Sequence, residues 1–97
     1  MVVEQKKIKH EWGQENVWAD TTSYRGSFMS IKNGRSIFDH SKVSREETVY
    51  VLYGTLVIEL NGNRQEVRKG QSFHLDKGIK RTYHAIYDDV DIVVISN

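Results

Sequence analysis

Four residues in the middle and second half of the chain could do chemistry together: His40, Lys42, Glu47 and Arg81. An imidazole and a carboxylate, as at His40 and Glu47, can share a divalent cation or move a proton. Lys42 and Arg81 are different in kind. A guanidinium stays protonated and only donates, and an ammonium must lose its proton before it can ligate. Both are suited to anions, and Arg grips a phosphate or carboxylate with two parallel N–H donors. Tyr83, two residues after Arg81, adds a phenol that can donate or accept.

These residues need a scaffold, and the pattern around them is β throughout. Thr48 to Leu60 is rich in Val, Tyr, Ile and Leu, with Gly54 in its middle. Leu56, Ile58 and Leu60 alternate with Thr55, Val57 and Glu59, so one face is apolar. Asn61-Gly62 is a tight-turn sequence because both residues tolerate positive φ. Further short strands are expected at 65–68, 72–75, 81–87 and 90–95, and upstream at 27–31 and 36–40. Residues 11–18 read as a strand pair or as a loop capped by Trp12 and Trp18. Short strands with a turn every eight to twelve residues indicate an all-β sandwich or small barrel.

Alternation then assigns faces. Phe38, His40 and Lys42 form one set and Glu47, Val49 and Val51 another, and both are expected to look into one barrel. Arg81, Tyr83 and Ala85 face inward together, which sends His84 outward. His10 is expected at the surface, and the facing of His74 stays open.

Composition bounds the rest. Ninety-seven residues make one domain with one core. The 14 basic and 13 acidic side chains leave a formal charge of +1, too even for a nucleic-acid footprint. Absence of cysteine excludes disulfides, thiolate catalysis and Cys-ligated zinc. No apolar run reaches membrane-spanning length and 1–12 lacks a signal-peptide core, so a cytoplasmic location and no membrane partner are expected.

The spacing Gly34, His40, Lys42, Glu47, Gly54 resembles the first motif of the cupins, double-stranded β-helix jelly-roll barrels. Gly70, Asp76, Gly78 and Arg81 resemble the second, which falls within 70–84. Gly70-Gln-Ser-Phe-His74 and the run EETVYVLYGTL resemble the small cupin domain of the phosphomannose isomerase and sugar-phosphate isomerase type. The resemblance implies a single 1–97 domain, with residues 1–25 contributing an arm to a homodimer, and a sugar or sugar phosphate as ligand. It also marks departures: Lys42 and Arg81 stand where that family places metal-binding histidines. Two cations and Glu47 sum to the charge of a dication with Glu47, about +1. The two cations are therefore expected to replace a metal around the carboxylate. No cofactor is expected, beyond a divalent metal held weakly by His40 and Glu47.

The ligand-binding set is then His40, Lys42, Glu47, Arg81 and Tyr83. Two alternatives stand beside a metal-free binder. One is a carbohydrate isomerase or epimerase with His40 as base and Tyr83 or Tyr50 as acid. The other is a non-catalytic dimer domain whose barrel is filled by Phe38, Val49, Val51 and Tyr83. Trp12 and Trp18 are expected at an interface, with sugar stacking as the alternative.

Overall fold

The computed structural model describes residues 1–39, the last through its backbone alone, and 45–97. The candidate site residues His40 and Lys42 lie outside the described residues. Ten strands occur in the described residues: β1 Lys6–His10, β2 Gly13–Asp20, β3 Arg25–Ile31, β4 Ser36–Asp39, β5 Glu47–Tyr53, β6 Thr55–Leu60, β7 Asn63–Arg68, β8 Ser72–Leu75, β9 Arg81–His84 and β10 Val90–Ser96. The expected all-β class holds. None of the described residues forms a helix long and apolar enough to cross a membrane.

The strands make two sheets with antiparallel ladders. One has the order β1-β2-β3-β10-β5-β8 and the other β4-β9-β6-β7. Their inner faces interdigitate. Met29, Ile31, Val49, Val51, Leu75, Val90, Ile92 and Val94 from the larger sheet meet Ile37, Leu56, Ile58, Val67 and Tyr83 from the smaller. Period-two alternation produces this directly, since β5 is buried at Glu47, Val49 and Val51 and open between them. The single core is a jelly roll of sheet on sheet.

One turn carries the chain between layers and a second returns it within a layer. β5 belongs to the large sheet and β6 to the small one, and only Gly54 separates them. Gly54 has φ +79°, and a Cβ there would collide with the carbonyl oxygen of Asp89. Glycine is therefore required on both counts at the point where the chain changes sheets. At the other end of β6, Asn61 and Gly62 both have positive φ, 51° and 81°. Leu60 pairs with Asn63 across them, the two-residue hairpin that the sequence signals.

One open reading is resolved and two expectations are corrected here. Residues 6–20 form a full hairpin, β1–β2, on the edge of the large sheet. β9 ends at His84 rather than at Tyr87, because Ala85 leaves the ladder to bond the turn before β4, donating to Arg35 O and accepting from Gly34 N. Phe38 does not fill the barrel. Ile37 pairs with Tyr83 and shares its inner face, so Phe38 points outward and is 69% exposed.

Candidate functional site

Glu47 opens β5 in the large sheet, and Arg81 and Tyr83 lie on β9 in the small sheet. Alternation points all three inward, and all are buried. Tyr83 Oη donates a hydrogen bond to Glu47 Oε1. Arg81 Nη1 lies 3.9 Å from the same oxygen. The structure thus brings together the described part of the expected site, from two strands on opposite sheets.

Arg81 does more than face the carboxylate. Its Nε donates to Ile79 O at 3.0 Å, and its Nη2 donates to the same oxygen at 2.8 Å. Nη2 also reaches Asp76 O at 3.5 Å. The fork of guanidinium donors suits this convergence. It fixes the 76–80 turn, where Gly78 adopts φ +84°. Nη1 is left as a buried donor with no hydrogen bond in the described residues, facing Glu47 across the ion-pair distance.

The other histidines lie elsewhere. His84 points away from the barrel as alternation requires, yet it is only 8% exposed. Its Nδ1 shares a 2.6 Å hydrogen bond with Ser36 Oγ and its Nε2 a 3.1 Å bond with Glu59 Oε1. Phe38 packs edge-on against the ring at 6.3 Å. The hydrogen bond to His84, assisted by Arg64, holds the Glu59 carboxyl below its ordinary value of 4.5. A carboxyl depressed in the fold adds stability above about pH 4.5 and loses it as pH falls below that value. His84→Ala is expected to let the Glu59 pKa rise toward 4.5 and to flatten the acid limb of stability. Carbon-detected NMR titration of the Glu59 carboxyl reads this, and an unmoved midpoint would refute it.

His10 is at the surface, as expected, and it stacks on Trp12 with centroids 4.3 Å apart. Its Nε2 bonds Glu15 Oε1 at 3.1 Å. Glu15 is buried, and it also accepts from Ser27 Oγ at 3.0 Å and pairs with Arg25 at 3.5 Å. This cluster was not anticipated. The available signal was Glu15 two residues before Val17, on the apolar face of β2. Trp12 packs against the core, whereas Trp18 lies on the outer face over Gly26. Tyr50 also faces outward, 44% exposed, so it cannot serve as an acid inside the barrel. Surface grooves of about 510 Å³ run along Gln14, Ser30 and Asp91 and along Trp12, Arg35 and Ser36. Neither is lined by Glu47, Arg81 or Tyr83.

Known proteins match this architecture closely and this sequence weakly. KdgF from Halomonas sp. superposes with a TM-score of 0.80 at 16% identity, over 96% of this chain and 85% of that one. An RmlC-like cupin from Shewanella frigidimarina gives 0.82 at 11% identity, over 96% and 83%. A cupin 2 conserved barrel domain protein from Salinispora arenicola gives 0.75 at 14%, over 86% and 73%. At these identities the likeness concerns the fold alone. No curated protein sequence matches the chain. The cupin domain family model matches residues 27–96, from β3 to the end of β10. With most of its length so matched, and with a two-sheet antiparallel jelly roll to hold the two motifs, the chain belongs to the cupin family.

Proposed function

We propose that the barrel binds a small polar or anionic ligand, a sugar or sugar phosphate, without a tightly bound metal. The observation that carries this reading is Arg81 Nη1, a fully buried guanidinium donor with no hydrogen bond in the described residues. A buried donor of this kind favours an incoming oxyanion. Glu47 and Tyr83 flank it, and His40 and Lys42 complete the set in this proposal. The resemblance to sugar-phosphate isomerases supports the choice of ligand class.

The metal that the family implies does not fit the described part of this site. Arg81 spends Nε and Nη2 on the carbonyl oxygens of Ile79 and Asp76, and a protonated guanidinium has no lone pair to give. In this reading Arg81 and Lys42 together supply the positive charge that a dication would bring. No reaction step is assigned to a metal in this barrel.

A panel of sugars and sugar phosphates tests the proposal by thermal shift in EDTA. A phosphorylated sugar at 100 times its Kd is expected to stabilise the protein by about 2.7 kcal/mol. Arg81→Lys, which keeps the charge and loses the fork, should weaken that response. Sugar-dependent stabilisation that appears only after adding Mn²⁺ or Zn²⁺, beyond the effect of the metal alone, and persists in Arg81→Lys, would remove the metal-free reading. A second reading, a non-catalytic domain with a filled barrel, is favoured by the complete burial of Val49, Val51 and Leu75 beside Tyr83. It predicts no response to any member of the panel.

A further inference from the structure

β5 and β8 place a second group of ligating side chains on the opposite face of the large sheet. Glu47 pairs with Leu75 and Thr48 with His74. Glu47 and Leu75 point inward, so their neighbours Glu46, Thr48, His74 and Asp76 point out. Glu46, His74 and Asp76 converge there, each offering one ligand atom, with those atoms all within 4.8 Å of one another. His74 Nε2 is 3.2 Å from Asp76 Oδ1 and 4.0 Å from Glu46 Oε1.

The imidazole distinguishes this group from an ordinary patch of surface acids. His74 Nδ1 shares a 2.8 Å hydrogen bond with Thr48 Oγ1. In the tautomer that carries its proton on Nδ1, that proton goes to Thr48 Oγ1 and Nε2 offers its lone pair on the side of the two carboxylates. Metal-ligating histidines are oriented this way, by a hydrogen bond from the nitrogen that does not ligate. Ligand bonds of about 2.0–2.2 Å in a tetrahedral site place donor atoms about 3.3 Å apart. The His74–Asp76 separation already meets that distance. Glu46 needs only a small rotation of an exposed side chain.

We propose that Glu46, His74 and Asp76 form a surface site for a divalent transition cation, with Thr48 as the positioning residue for His74. One imidazole and two carboxylates favour Zn²⁺ or Mn²⁺ over Mg²⁺ and Ca²⁺, which prefer all-oxygen sites. Three protein ligands leave a coordination position for water or an external ligand. The site is independent of the barrel cluster and lies on the other side of the same strand. It ties the edge strand β8 to the first residues of the β5 segment.

Calorimetric titration of the EDTA-stripped protein with ZnCl₂ tests this, with His74 imidazole signals followed by NMR. One Zn²⁺ per chain is expected, moving the His74 resonances and leaving those of His84 in place. His74→Ala, which removes a ligand outright, should weaken binding by more than about 100-fold, the upper end of the loss typical of an orienting partner. Thr48→Val, which removes only the orienting hydroxyl, should weaken it about 10- to 100-fold. His84→Ala should leave the isotherm unchanged. Absence of binding up to about 100 μM Zn²⁺, or an isotherm that His74→Ala does not alter, would overturn the assignment.

Discussion

Replacing Arg81 with Met is expected to destabilise the protein by about 3–5 kcal/mol, the cost typical of breaking a buried ion pair from one side. The substitution removes the guanidinium that faces the Glu47 carboxylate and also releases the carbonyl oxygens of Ile79 and Asp76. For a domain of this size the melting temperature should fall by roughly 12 °C or more. The double variant Arg81→Met with Glu47→Leu should recover part of the loss, because it removes both charges. Recovery stays incomplete because the Tyr83 hydroxyl loses Glu47 as an acceptor, at a cost of up to about 1–3 kcal/mol. Adding Tyr83→Phe should lift it. Urea unfolding followed by circular dichroism measures the series. An Arg81→Met loss below about 1 kcal/mol would show that Glu47 does not depend on this partner.

The second large effect is a gain of function. Lys42→His with Arg81→His restores imidazole at both departed motif positions, beside His40 and Glu47. Made in a His74→Ala background, so that the outer face cannot contribute, this variant should melt early in EDTA. It should regain about 2.7 kcal/mol when a divalent transition metal is present at 100 times its Kd. The parent His74→Ala protein should not respond. Equal melting temperatures with and without metal in the double-histidine variant would sink the idea that the two cations stand in for a metal. The His74→Ala background also sorts bulk metal analysis: Zn²⁺ lost on that substitution belongs to the Glu46–His74–Asp76 group, and Zn²⁺ that persists would count against a metal-free barrel.

The fold was legible because its rules are local. The alternation of Leu56, Ile58 and Leu60, the Asn61-Gly62 turn and the glycine spacing each depend on a few neighbouring residues. The inward set of Glu47, Arg81 and Tyr83 followed from the same alternation once the strands were placed. What was not legible depends on contacts between distant segments. Phe38 faces outward because the pairing of Ile37 with Tyr83 sets the phase of β4, and no rule within 36–40 fixes that phase. His84 is outward yet nearly buried, because Ser36 and Phe38 from β4 and Glu59 from β6 close over it. The carbonyl bonds of Arg81 required knowing how the 76–80 turn folds back. Glu15 lies in a segment that reads equally as a strand pair or a loop, so its partners on β3 do not follow from local pattern.

The Glu47–Tyr83–Arg81 cluster joins two layers whose described core residues are otherwise mainly apolar. The hydrophobic effect is non-directional, so apolar burial alone distinguishes weakly between alternative alignments of the two faces. A hydrogen bond from phenol to carboxylate is directional, since it weakens steeply with angle. The cluster therefore acts as a locating pin that sets where one sheet rests on the other. Without it, the strands and their ladders are expected to persist while the stack loses its unique alignment.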